Sequence, residues 1–137
     1  SEAVESDYHG SETILVVEDE DVILNSLNSI LSDKGYNVIA ARDGEEAVKL
    51  YKQHRNYIHL ILTDVGLPKL SGWEALALMQ DINPDVKAII ATGYLDPQVK
   101  TEKVKNGIAE VLTKPYDPEV LLKTVRKVLD GNKSKQN

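Results

Sequence analysis

Four consecutive carboxylates follow a short apolar run near the start of the chain. The segment ILVVEDED places Glu18, Asp19, Glu20 and Asp21 directly after the apolar residues 14–17. Like charges at this spacing repel, and each carboxylate would lose hydration near the end of a buried strand. Glu20 and Asp21 are expected in the first turn of a helix, where an acid interacts favourably with the helix dipole by about 0.3–1 kcal/mol. Glu18 and Asp19 lie nearer the strand end and are therefore candidates for binding a cation.

Three further polar residues follow other apolar runs. Asp64 stands in LTDVGLP, Thr92 in ATGY and Lys114 in TKP. If these runs are neighbouring parallel strands, their carboxyl ends meet at the edge of the sheet where open sheets of this kind bind ligands. The carboxylates of Glu18, Asp19 and Asp64 would then repel or protonate unless a cation joined them. Oxygen ligands with no His or Cys nearby suit Mg²⁺, so the sequence predicts a magnesium site there.

Simpler interpretations of the same residues stay open at this point. The three acids could form a cluster at the strand ends without a metal, Lys114 could be a surface base, and Thr92 could be an ordinary β-branched strand residue. The histidines show neither a second ligand nor an acid at a metal-binding spacing, so we expect structural or solvent-exposed roles for them. They are His9, His54 and His59.

The elements that must position these residues are read from the apolar pattern. Short runs rich in Val, Ile and Leu, apolar on both faces, are typical of buried parallel strands. The strand candidates are 14–17, 36–40, 58–63, 86–92 and 108–113. Between them lie segments with helical spacing, of which 97–106 has the weakest apolar face. Cap signals support these boundaries: capping boxes at Asp43/Glu46 and Ser71/Glu74, Asp before Pro at 96–97 and 117–118, and C-terminal glycines at 35, 107 and 131.

Five β/α units without a second domain predict an α/β fold. Alternating units imply a parallel sheet covered on both faces, and five are too few for an eight-fold barrel. We expect a doubly wound, flavodoxin-like (βα)5 sheet with strand order 2-1-3-4-5. The predicted organisation is an N-terminal linker over 1–11, one domain over 12–131 and a C-terminal tail over 132–137.

Composition excludes several classes of function. The chain has 137 residues, no Cys and a net charge of −6, which excludes thiol chemistry and argues against a nucleic-acid surface on this chain. No apolar run approaches a membrane span, and the polar start is no signal peptide, so we expect no membrane contact and a cytoplasmic location. Since the only Met is Met79, the chain was either processed or is a segment of a longer protein.

Five segments in register resemble the receiver domain of response regulators in two-component signalling. ILVVEDE resembles the family's acidic pair, and LTDVGLP its phosphoacceptor strand; SGWE, ATGY and LTKPY resemble the later motifs. One such motif alone is weak, but five in order over about residues 13–130 are specific. Three positions depart from the commonest pattern: Glu18 replaces Asp, Leu67 replaces Met, and Val111 stands where many members have an aromatic residue.

The resemblance implies a role for each matching residue. Asp64 would be the phosphoacceptor, and Mg²⁺ would be bound by Asp19, Asp64 and the carbonyl of Gly66, with Glu18 contributing through water. Thr92 and Lys114 would contact the phosphoryl oxygens, and the bond from Lys114 to Pro115 would be cis. The phosphoryl donor would be a phospho-His on a histidine kinase or a histidine phosphotransfer domain, and a homodimer is also compatible with the family.

Two other functions remain as alternatives. One is a Mg²⁺-dependent phosphohydrolase or Toprim-like enzyme on a similar sheet, although an aspartate-nucleophile phosphohydrolase would have Asp-x-Asp after its first strand. The other is a receiver that binds partners without phosphate, which the presence of Asp19, Asp64, Thr92 and Lys114 disfavours. The leading prediction is a signalling module that is not itself an enzyme, with attachment to a hybrid sensor histidine kinase favoured over a free-standing chain.

Overall fold

A computed structural model describes residues 7–93 and 110–131. Five parallel strands form one sheet in the order β2-β1-β3-β4-β5, which confirms the predicted doubly wound, flavodoxin-like fold. The strands are β1 (Thr13–Val17), β2 (Asn37–Ala41), β3 (Ile58–Asp64), β4 (Ala88–Thr92) and β5 (Glu110–Thr113).

Four helices are present in the described part of the chain. They are α1 (Asp21–Asp33), α2 (Gly44–His54), α3 (Gly72–Ile82) and α4 (Pro118–Asp130). The segment 97–106, predicted to be helical, lies outside the described residues, as do the cap signals at 96–97 and Gly107. None of the described helices is long and apolar enough to cross a membrane.

The described helix ends confirm most of the predicted caps. Ser71 and Glu74 form the reciprocal capping box of α3, and the Asp117 side chain accepts a hydrogen bond from an amide in the first turn of α4. Gly35 and Gly131 have positive φ after α1 and α4, as a C-terminal glycine should. Only one of the two hydrogen bonds of the predicted capping box forms at the start of α2. The Asp43 carboxylate caps the helix, but the Glu46 carboxylate accepts from the backbone N–H of Arg42 instead.

Alternate residues of the buried strands serve two separate cores. On β1, Ile14 and Val16 pack with α1 and α4, whereas Leu15 and Val17 pack with α2 and α3. A strand that is buried on both faces needs an apolar residue at every position, which explains the unbroken run ILVV. On α1, Leu24 is buried, whereas Val22 is 81% exposed.

Arg126 joins α4 to the segment before β1 at the end of the sheet where the strands begin. Its guanidinium contacts the Glu12 carboxylate at 2.8 Å, the Asp130 carboxylate at 2.9 Å, the Tyr36 hydroxyl at 3.1 Å and the His9 carbonyl at 3.1 Å. Hydrogen bonding to Arg126 holds the pKa of Glu12 at about 2, below its ordinary value of 4.5. Residues 9–12, within or next to the predicted linker, therefore pack against the domain.

We expect Arg126→Met to lower the free energy of unfolding by about 1–2 kcal/mol at pH 7, because it leaves Glu12 without its charged partner. Glu12 has a lower pKa in the folded state than in the unfolded state, so its ionised form stabilises the fold at pH values above the unfolded-state pKa. This contribution is lost as the pH falls from about 4.5 to 2. Urea unfolding at pH 7 and pH 3.5 should show the difference between wild type and variant shrinking. Lys127→Met, which removes an exposed neighbouring pair with Glu110, is the control and should cost less. A difference that grows on acidification would contradict this account.

Candidate functional site

The carboxyl ends of β1 and β3 bring three acids together. One carboxylate oxygen each of Glu18, Asp19 and Asp64 lies within 4.8 Å of the others. We call these residues the acidic cluster; Glu18 is buried, Asp64 is partly exposed and Asp19 is exposed. The predicted convergence of these acids at one edge of the sheet is therefore present in the structure.

Glu18 is held rigidly despite its charge. Its backbone N–H donates to the Ala41 carbonyl at 3.0 Å, which extends the contact between β1 and β2 by one residue. One carboxylate oxygen accepts from the Glu20 N–H at 3.1 Å, and the other lies 3.8 Å from the Lys114 ammonium. Burial raises the pKa of Glu18 above its ordinary value, the nearby Asp64 and Asp19 raise it further, and the Glu20 amide and Lys114 oppose them. A bound cation would favour the ionised form.

Lys114 provides the opposite charge beside two of the three acids. Its ammonium lies 2.9 Å from Oδ1 of Asp64, and its backbone N–H donates to the Thr92 carbonyl at 2.7 Å. Burial alone would lower the pKa of Lys114, but the hydrogen bond to Asp64 and the attraction of both carboxylates raise it above its usual value. Lys114 is therefore a cation pointed at Asp64, as the sequence predicted.

Thr92 and the bond after Lys114 also match the predictions for this edge. Thr92 is the last residue of β4, is buried and lies opposite Thr113 in the pairing of β4 with β5. The Lys114–Pro115 peptide bond is cis. Thr92 thus ends β4 and Lys114 directly follows the neighbouring strand β5, at the edge that holds Asp64.

The loop after β3 has one open glycine and one crowded glycine. A Cβ at Gly66 would meet no heavy atom within 4 Å, so the backbone there faces open space. At Gly72, the first residue of α3, a Cβ would lie 2.2 Å from the Asp64 carbonyl oxygen and 3.1 Å from the Val65 Cα. The start of α3 consequently packs directly against the backbone of Asp64.

Sequence reasoning missed two ion pairs beside the cluster, on the turn after β2, where Arg42 meets Asp21 and Asp43 meets Lys69. Neither pair has a regular spacing along the chain, so no sequence pattern points to it. The structure also has a groove of about 420 Å³ next to Lys114, which we call the α1 groove. Its mostly apolar lining is Val22, Ile23, Ser26, Leu27, Ile30, Lys114, Pro115, Tyr116 and Pro118.

Comparisons with known protein sequences agree on one family. A family model described as the response regulator receiver domain matches residues 14–126. A cyclic di-GMP phosphodiesterase from Thermotoga maritima is 33% identical over 80% of this chain, and the sensor kinase CckA from Brucella abortus is 29% identical over 91%. The chain spans 28% and 13% of the lengths of these two relatives.

Solved structures give the same result. A response regulator receiver domain protein from Clostridium thermocellum has a TM-score of 0.83 at 30% identity, covering 91% of this chain and 99% of that one. The CheX–CheY–BeF3–Mg²⁺ complex from Borrelia burgdorferi has a TM-score of 0.78 at 28% identity, covering 83% of this chain and 86% of that one.

The two glycines beside Asp64 should respond differently to an added methyl group. Gly72→Ala should lower the free energy of unfolding by about 1–3 kcal/mol, since the new Cβ would overlap the Asp64 carbonyl oxygen. Gly66→Ala, with open space around its Cβ, should change it by less than about 0.5 kcal/mol. Urea unfolding of both variants measures this. Equal stability of the two variants would show that α3 can move away from Asp64 at little cost.

Proposed function

The chain belongs to the response regulator receiver domain family and is a phosphoacceptor module of two-component signalling, and we propose that Asp64 is the residue that takes up the phosphoryl group. The observation that carries this proposal is the placement of Asp64 between two other acids and the Lys114 ammonium, which lies 2.9 Å away. An ionised carboxylate in partial contact with solvent can act as a nucleophile toward phosphorus. Of the three acids, only Asp64 is this close to the ammonium and also partly exposed.

The proposed reaction moves one phosphoryl group between two side chains. A carboxylate oxygen of Asp64 forms a bond to phosphorus while the bond from phosphorus to the donor's imidazole nitrogen breaks. The electron pair of that bond stays on the imidazole nitrogen, and a proton already on the ring's other nitrogen, or one taken from water, makes the leaving group neutral imidazole. The product is an acyl phosphate on Asp64. Lys114 would neutralise charge on the transferred group, and the Thr92 hydroxyl would donate a hydrogen bond to one of its oxygens.

The acidic cluster fits a magnesium ion. Its oxygens lie close enough to share one cation, and it contains no His or Cys. We propose that Asp19, Asp64 and the Gly66 carbonyl bind Mg²⁺ directly and that Glu18 contributes through water. The open space beside Gly66 supports this, because its backbone is accessible. Bound Mg²⁺ would supply positive charge at the transferred phosphoryl group.

The α1 groove is the proposed docking surface for the phosphoryl donor. It borders Lys114 and is lined by Val22, Ile23 and Tyr116, with Pro115 shaping the loop after β5. Val22, the second residue of α1, is 81% exposed. We propose that a histidine kinase or phosphotransfer domain packs on this groove and thereby brings its phospho-His to Asp64.

An enzymatic role for this domain is not favoured. The chain covers less than a third of the phosphodiesterase it resembles, so the activity named for that relative concerns a much longer protein. Attachment to a sensor kinase, a cytoplasmic location, homodimerisation and the boundaries at 11/12 and 131/132 stay predictions from the sequence. The same holds for the absence of nucleic-acid and membrane contacts.

Labelling with acetyl phosphate and Mg²⁺ tests the proposed site. Wild type should gain one phosphoryl group by intact-mass spectrometry, and Asp64→Asn should gain none because the nucleophile is lost. Removing Mg²⁺ with a chelator should abolish labelling of wild type. Asp81→Asn, an exposed acid on α3, is the matched control and should be labelled like wild type. Labelling of Asp64→Asn at the wild-type level would refute the assignment.

Transfer from a phosphorylated kinase should depend on the α1 groove. Val22→Glu should slow this transfer at least tenfold by placing a buried charge in the docking contact, while acetyl phosphate labelling stays unchanged. The matched control is Leu78→Glu, which adds the same charge at another exposed apolar residue, on α3. Slowing of both phosphoryl donors by Val22→Glu would indicate damage to the fold, and equal slowing by Leu78→Glu would exclude a specific groove.

A further inference from the structure

The turn after β2, residues 42–44, carries none of the proposed ligands but contacts both loops that do. The β1–α1 connection holds Glu18 and Asp19, and the β3–α3 loop holds Gly66. β2 is the edge strand next to β1, so its carboxyl end lies at the same edge of the sheet. The backbone joins the ends of β1 and β2 at this edge, since the Glu18 N–H donates to the Ala41 carbonyl at 3.0 Å.

The first side-chain contact fixes the β1–α1 connection. The Arg42 guanidinium lies 2.8 Å from the Asp21 carboxylate, and Asp21 is the first residue of α1. Asp21 follows Asp19 by two residues, so this contact restrains the connection at its helical end. Arg42 is itself held, because its backbone N–H donates to the Glu46 carboxylate at 2.9 Å.

The second contact fixes the β3–α3 loop. The Lys69 ammonium lies 3.6 Å from the Asp43 carboxylate, whose other oxygen caps α2 at 2.7 Å from the Glu46 amide nitrogen. Lys69 has a φ of 70°, a conformation that a non-glycine residue rarely adopts without support. At Gly44, a Cβ would lie 2.3 Å from the Leu70 carbonyl oxygen, so this loop packs on the start of α2 without free space.

We propose that Arg42 and Lys69 are positioning residues for the magnesium site. Through Asp21 and Asp43 they connect the two ligand-bearing loops to one rigid turn, so that Asp19 and the Gly66 carbonyl are at a suitable separation before the cation binds. This inference rests on the proposed function of the acidic cluster. It adds two positively charged side chains, those of Arg42 and Lys69, to the residues that determine the Mg²⁺ affinity, although neither side chain binds the metal.

Removal of the Arg42 or Lys69 side chain should change the Mg²⁺ affinity in opposite directions, depending on whether its charge or its positioning contact matters. Removing a positive charge close to an acidic cluster should strengthen Mg²⁺ binding if only long-range electrostatics matter. Removing a contact that holds the loops in place should weaken it, because part of the binding free energy would then be spent on ordering them. The sign of the change in affinity therefore separates the two explanations.

Calorimetric titration of the full chain with MgCl2 is the test. Arg42→Ala and Lys69→Ala should each bind Mg²⁺ about two- to fivefold more weakly, the range expected for exposed ion pairs. Arg42→Lys and Lys69→Arg should retain most of the affinity. Lys49→Ala, which removes an exposed positive charge from α2, should leave the affinity unchanged or raise it. In acetyl phosphate labelling, the two Ala variants should need more Mg²⁺ for half-maximal rate but reach the wild-type rate at saturation.

Two other outcomes would overturn the inference. Unchanged or tighter Mg²⁺ binding by both Arg42→Ala and Lys69→Ala would show that the contacts do not position the ligands. Weaker binding by Lys49→Ala to the same extent would show a nonspecific effect. Asp19→Asn distinguishes failure of the underlying proposal, because Mg²⁺ binding that survives this change means that the acidic cluster is not the metal site at all.

Discussion

The repulsion among three carboxylates at the ends of two neighbouring strands is the constraint that organises this protein. Glu18, Asp19 and Asp64 lie within 4.8 Å of one another, and an isolated cluster of that kind would protonate or spread apart. It is kept together by the Lys114 ammonium on one side and by the backbone amide of Glu20 on the other. Burial raises the pKa of Glu18 above its ordinary value, and the neighbouring Asp64 and Asp19 raise it further. An arrangement of this kind favours binding of a further cation and, after it, of a phosphoryl group.

The sheet makes this arrangement geometrically possible. Parallel strands place all their carboxyl ends at one edge, and the order β2-β1-β3-β4-β5 makes β1, β3, β4 and β5 successive neighbours. Burial on both faces fixes the strands, so that the residues following them have little freedom. The close packing of Gly72 on the Asp64 carbonyl extends this rigidity to α3. The proposed chemistry thus relies on positions that the core determines and not on flexible side chains.

The fold and the convergence of the candidate site residues at one edge of the sheet were predictable from the sequence because their signals are local. ILVV, an Asp before Pro and a Gly after a helix each reflect the conformation of a few neighbouring residues. Asp64, Thr92 and Lys114 could be located because each lies at the end of a strand or directly after it. The ion pairs of Arg42 with Asp21 and of Asp43 with Lys69 join residues 21 and 26 positions apart, and only the folded chain brings them together. The half-formed cap of α2 is a local difference, because the Glu46 carboxylate accepts from the Arg42 N–H, one residue before the N-cap.

Localisation of the phosphoryl group shows whether Asp64 is the phosphoacceptor. An acyl phosphate on Asp64 can be reduced with borohydride, which converts the modified aspartate to homoserine, and tandem mass spectrometry then identifies the residue. After labelling with acetyl phosphate and Mg²⁺, homoserine is expected at position 64, with the residues at 18 and 19 unchanged. Modification of Glu18 or Asp19 in place of Asp64 would contradict it, because the Lys114 contact would then not mark the nucleophile.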